Sequence, residues 1–138
     1  MKNLELLLPE TVLAGLALAI AFADLLLPGK RSRWLYHLAW ISTASVLAWI
    51  AFSLGSPGAH GIGTLWSVDP FSQFFKLTTL LTATLCLLLG LDYAALPERH
   101  AGIFSALVLF STAGLMYLVS ATDLLLIFVA LELVSISS

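Results

Sequence analysis

Five apolar runs, at roughly 8–27, 34–54, 71–91, 103–120 and 124–138, decide what this chain can become. A helix rises 1.5 Å per residue, so about 20 residues cross a hydrocarbon layer about 30 Å thick, and the first four runs are close to that length. Lipid offers no partner to a backbone amide, so runs of this kind are helices that satisfy their own hydrogen bonds. Composition agrees: 60% of residues are hydrophobic and 10% charged, against about 25% charged in soluble domains. Mean hydropathy is +1.03. The expected fold class is an all-α integral membrane protein, a polytopic transmembrane helix bundle embedded in the lipid bilayer. Six basic residues, scattered in a chain of net charge −2, form no patch that could follow a phosphate backbone, which excludes a nucleic-acid partner. The single cysteine, Cys86, excludes an internal disulfide or a Cys-based metal site and reads as a small buried hydrophobe.

Orientation follows from the loops. The N-terminal run imitates a signal peptide, but Glu5, Pro9 and Glu10 interrupt it, and Leu25, Leu26 and Leu27 continue it past Ala21-Phe22-Ala23. It is read as the first span, with Pro9 and Glu10 suited to a helix start. Pro28-Gly29-Lys30-Arg31-Ser32-Arg33 carries three basic residues and is therefore cytoplasmic by the positive-inside rule. With Arg99 in the second inner loop, four of the six basic residues fall on that side, which leaves the N-terminus outside. Trp34 and Tyr36 mark one interface and Trp49 and Phe52 the other, as in aromatic belts, whereas Trp40 reads as a packing residue. The outer segment from Gly55 to Pro70 has no Lys or Arg, and His60 there is a solvated histidine without a second ligand at zinc spacing.

Ionisable residues within the spans are the candidate functional sites. Glu132 lies nine residues past Asp123, so about 13 Å of helix carries it close to the middle of the hydrocarbon layer. An acidic residue there costs roughly 2.5 to 3.5 kcal/mol, and such residues usually mark ion or proton pathways. Glu132 is the candidate proton-relay carboxylate; its structural alternative is a neutral acid bonded to a neighbouring helix. Lys76, about 8 Å into the third span, can either snorkel to the outer interface or pair with an acid inside the bundle. Asp24, near the end of the first span, reads as an interfacial partner of Lys30, Arg31 or Arg33, with proton transfer as a secondary role. The fourth span carries Ser105, Ser111, Thr112, Gly114 and Ser120, which suit close helix packing and could also partner Glu132. A tight hairpin leads into the fifth span, with Thr122 or Asp123 as its cap. That span ends after about 22 Å, too short to cross, so the chain is expected to be the front end of a longer protein.

No phosphate loop, nucleophile triad or His/Cys cluster occurs, so nothing here performs covalent chemistry. Several short motifs instead carry a likeness: Leu7-Leu8-Pro9-Glu10 opening the first span, Asp24 near its end, Asp69-Pro70-Phe71-Ser72 with Phe75-Lys76 opening the third, and Thr122-Asp123-Leu124-Leu125 leading to Leu131-Glu132-Leu133-Val134-Ser135. In order and across all 138 residues, the set resembles the beginning of subunit N of the bacterial-type proton-pumping NADH-quinone oxidoreductase, an antiporter-like subunit of respiratory complex I. The resemblance implies about fourteen helices in the whole subunit, of which about the first third is present. It implies a non-redox, proton-translocating subunit in a bacterial inner membrane, surrounded by other membrane subunits of the complex. This chain would bind no cofactor or metal; NADH, FMN, iron–sulfur clusters and quinone would lie on or near other subunits. In that family a glutamate of the fifth helix pairs with a lysine of the seventh, and changing their separation would load and unload a proton. Glu132 matches that glutamate, and its lysine is expected beyond Ser138.

Two other classes remain open on the residues alone. One is a subunit of a multi-subunit sodium/proton antiporter, which shares the glutamate-bearing fifth span. The other is a five-span structural or assembly protein in which Glu132 only bonds a neighbouring helix.

Overall fold

A computed structural model describes residues 8–26, 32–53, 70–91, 100–121 and 124–138. They form five helices: α1 (Leu8–Leu26), α2 (Ser32–Ser53), α3 (Pro70–Leu91), α4 (Ala101–Ser120) and α5 (Leu124–Ser137). Each begins and ends within two residues of the apolar run that forecast it. The first four are long and apolar enough to cross a membrane, and α5 is shorter. Pro70 is the first residue of α3, a position where its missing N–H leaves no helical bond unmade.

The pattern of buried residues explains the arrangement. On α1 they are Glu10, Leu13, Ala17, Ile20 and Asp24; on α2 Tyr36, Ala39, Thr43, Val46 and Ile50; on α3 Ser72, Lys76, Leu80, Ala83 and Leu87. Steps of three and four residues give each of these helices one buried stripe, as wide as a single neighbouring surface. α4 is different. Ten of its residues are buried, spread over most of its circumference, and it packs against all four other helices. α1 and α3 both lean on α4 and do not pack against each other, and α5 packs on α4 alone. Many of the exposed residues are large and apolar, including Leu18, Phe22, Leu81 and Leu88, as suits a bundle whose solvent is lipid.

Close approach at α4 depends on small side chains. A Cβ at Gly114 would stand 2.8 Å from Cγ2 of Val134 and 3.4 Å from the carbonyl of Ala130, so the α4–α5 hairpin interdigitates there. The small residues of the fourth span thus do serve packing. Two of their hydroxyls are satisfied locally: Ser105 donates to the Gly102 carbonyl at 2.8 Å and Thr112 to that of Val108 at 2.6 Å.

Two sequence expectations are corrected. Tyr36 is not an interfacial belt residue: it is buried, donates to the Leu87 carbonyl at 2.6 Å and stacks on Phe104 at 6.4 Å. Its stripe position, three residues before Ala39, outweighs its nearness to the helix start. Trp34, Trp49 and Phe52 are exposed, as a belt requires. Cys86 is exposed rather than buried, because it lies one position off the Ala83–Leu87 stripe of α3. Lys30, Arg31, the Arg33 side chain, His60, Arg99, Thr122 and Asp123 lie outside the described residues.

Candidate proton-transfer site

The buried stripe of α1 contains two carboxylates, Glu10 and Asp24, and that of α3 one cation, Lys76; the fold brings Glu10 and Lys76 together. Lys76 Nζ lies 2.5 Å from Glu10 Oε1, and both side chains are almost entirely buried. Of the two readings of Lys76, pairing inside the bundle is the one observed. Since α1 and α3 do not touch along their backbones, the long lysine side chain spans the gap between them. The contact is an ion pair without hydrogen-bond alignment, and neither carboxylate oxygen of Glu10 has an aligned donor among the described residues. Tyr117 of α4 lies close enough to feel the charge of Glu10.

The opposite end of α1 holds a second buried carboxylate. Asp24 is 8% exposed and lies against Gly102, where a Cβ would overlap its carboxylate. Gly102 is the second residue of α4, so Asp24 sits at a helix N-terminus, where the partial positive charge of unpaired amides favours an anion. Its basic partners expected from sequence lie outside the described residues or have undescribed side chains. α1 and α4 run antiparallel in step: fourteen residues separate Glu10 from Asp24, and the same step from Gly102 leads to Met116, beside Tyr117.

Glu132, at the ninth position of α5, is exposed. Ala130 and Val134 face α4, which turns Glu132 to the opposite face with Phe128 and Ser135. The α4 hydroxyls proposed as its partners are thus out of reach. No ion pair of Glu132 occurs among the described residues. Also among them, no group of three His, Cys, Asp or Glu side chains is placed to hold a metal ion.

No family model matches the sequence. Individual relatives do. The chain is 34% identical over 142 residues to the NADH-quinone oxidoreductase subunit N of Trichlorobacter lovleyi, covering 98% of this chain and 28% of the relative. It is 37% identical over 139 residues to subunit N 2 of Koribacter versatilis, covering 96% and 28%. The chain belongs to the subunit N family. It spans about 28% of the length of these curated relatives. The F(420)H(2) dehydrogenase subunit N of Methanosarcina mazei is similar as well, 32% identical over the whole of this chain and 29% of its own length. Respiratory complex I from Thermus thermophilus with bound aureothin contains a chain of the same fold, with a TM-score of 0.74 and 29% identity over 94% of this chain and 27% of that one. The family expected from the short motifs is therefore the family found.

Sequence reasoning treated Glu10 only as a favourable helix start and missed its pairing. The signal was present. Glu10 and Lys76 share one predicted side of the membrane, and each falls in register with an apolar stripe, Leu13–Ala17–Ile20 and Leu80–Ala83–Leu87 respectively. Opposite charges at core positions of two spans entering from the same face are candidates for a pair.

Proposed function

We propose that this subunit N chain belongs to a membrane subunit that couples electron transfer from NADH to quinone with proton translocation, and that Glu132 is its proton relay. The observation that carries the reading is the 34–37% identity to subunit N relatives along nearly the whole chain. Glu132 adds the chemistry: one carboxylate, at the middle of a helix otherwise made of Leu, Ile, Val, Phe, Ala and Ser, is costly in lipid and is retained where an ion or proton moves. Its face of α5 is turned away from α4 and is open to a basic partner from outside these five helices. A carboxylate and a lysine that approach and separate exchange a proton with their surroundings at each cycle.

Redox chemistry in this reading belongs to NADH, FMN, iron–sulfur clusters and quinone held on other subunits, and the partners are the other membrane subunits of the complex in a bacterial inner membrane. The Methanosarcina relative supports a second reading of the donor. A membrane part that touches no electron carrier can serve NADH or F(420)H(2) alike, with the donor chosen by the peripheral subunits.

Glu132→Gln tests the relay. It keeps size and hydrogen bonding and removes the exchangeable charge. In inverted vesicles from cells carrying the full-length subunit, proton uptake should be abolished or strongly reduced while the complex still assembles. Full pumping in that variant would remove Glu132 from the mechanism.

A further inference from the structure

A buried ion pair kept for stability alone is normally completed by hydrogen bonds, because desolvating two charges costs as much as their attraction returns. The Glu10–Lys76 pair is not completed in that way: both oxygens of Glu10 are buried without an aligned donor among the described residues. Apart from Trp40 Nε1 on α2, the other buried polar side-chain atoms without a hydrogen-bond partner among the described residues lie at the same end of the bundle. Among the described residues, Gln73, one turn before Lys76 on α3, has a buried Oε1 without a hydrogen-bond partner, and Ser120, the last residue of α4, has a buried Oγ without one. Three helices thus direct orphaned polar atoms into the end where α1 and α3 begin and α4 finishes. Buried polar atoms are satisfied in native proteins by protein groups or ordered water. Such atoms at the end of the bundle that holds the Glu10 carboxylate therefore mark a place that can accommodate water and a proton. The pair also joins two helices that otherwise meet through α2 and α4, so its separation changes with any tilt of α1 or α3.

We propose that Glu10 and Lys76 form a second proton-exchange site, which takes up or releases a proton at the end of the bundle where α1 and α3 begin, through a hydrated polar cluster that includes Gln73 and Ser120. Among the described residues, the ionisable groups facing it are few. Tyr117 is the one from α4, and on α2 the ionisable Tyr36 and His37 lie in the second turn, at the opposite end of the bundle, where Tyr36 meets the last turns of α3 at Leu87. The site rests on the proton-pumping reading and adds to Glu132 a station near one membrane face.

The test uses the assembled complex in inverted vesicles, with proton uptake compared against NADH-driven quinone reduction. Glu10→Gln with Lys76→Met replaces both charges by neutral groups of similar size, which a purely structural pair tolerates. The expected result is continued electron transfer with fewer protons moved per quinone reduced. Wild-type coupling in the double variant overturns the proposal, and if Glu132→Gln abolishes pumping in the same preparation, only this proposal falls. Should the double variant fail to assemble, the wild-type complex supplies the second measurement. A hydrophobic carbodiimide adds to a protonated carboxyl group in an apolar site and spares a permanent carboxylate. Mass spectrometry of the labelled wild-type subunit should find the adduct on Glu10, and more of it in Lys76→Met. Labelling confined to Glu132 overturns the proposal.

Discussion

The two ends of α1 solve one problem in different ways. Each buries a carboxylate on the face that packs against α4, fourteen residues apart. At the Asp24 end α4 begins, and Asp24 lies against Gly102 in its first turn, where the partial positive charge of the helix N-terminus favours the anion. At the Glu10 end α4 finishes, and its partial charge is of the wrong sign. The first turn of α1 itself offers Glu10 only a little help, and a full cation, Lys76, comes from α3, whose backbone α1 does not touch. A helix end is fixed by the backbone, whereas a lysine side chain can swing away. One end of α1 is thereby built to stay and the other is able to change.

The largest effect should come from breaking the end that depends on a side chain. Lys76→Met alone leaves a carboxylate buried without its cation, a loss of about 3–5 kcal/mol when a pair is halved. The complex carrying it should be recovered in much lower yield and lose its assembly at a lower temperature in detergent. If its thermal midpoint matched wild type while the Asp24 end proved sensitive, the assignment of the two ends would be reversed.

Gly102→Ala comes next. The added Cβ overlaps the Asp24 carboxylate, so Asp24 must leave the helix end or α1 must move off α4; overpacking of this kind costs about 1–3 kcal/mol. The cost should couple to the side chain it displaces. With Asp24→Ala present, adding Gly102→Ala should cost much less, because no carboxylate remains to collide. Strict additivity of the two thermal shifts would mean that Asp24 and Gly102 are not in contact.

The contrast between the ends also marks how far sequence could reach. Span positions were legible because apolar length and polar breaks are local properties, and they located all five helices. The family was legible from Leu7 to Glu10, Asp69 to Ser72 and Leu131 to Ser135, whose order along the chain is itself a signature. Glu132 stood out because nothing else in its run is ionisable. Pairing is not local. Asp24 was assigned to the nearby basic loop, whose side chains lie outside the described residues; the contact that the structure does describe lies 78 residues on, at Gly102, where no local reading looks. Lys76 was left between two readings because depth alone does not say which way a helix is turned. Its register with Leu80, Ala83 and Leu87 does say so, and the same argument would have moved Tyr36 inward and Cys86 outward.

The smallest effect tests the quieter end directly. Asp24→Asn keeps the shape and hydrogen-bonding capacity beside Gly102 and removes only the charge. The loss is then the interaction of one anion with the α4 N-terminus, about 0.5–1 kcal/mol and up to about 2 where the site is partly buried. Because that interaction does not depend on a swinging partner, proton uptake per quinone should match wild type, with the thermal midpoint slightly lowered. A coupling defect in Asp24→Asn as large as that of the Glu10–Lys76 double variant would erase the distinction between a fixed and a changing end, and would make α1 a carrier of exchangeable protons along its whole buried stripe.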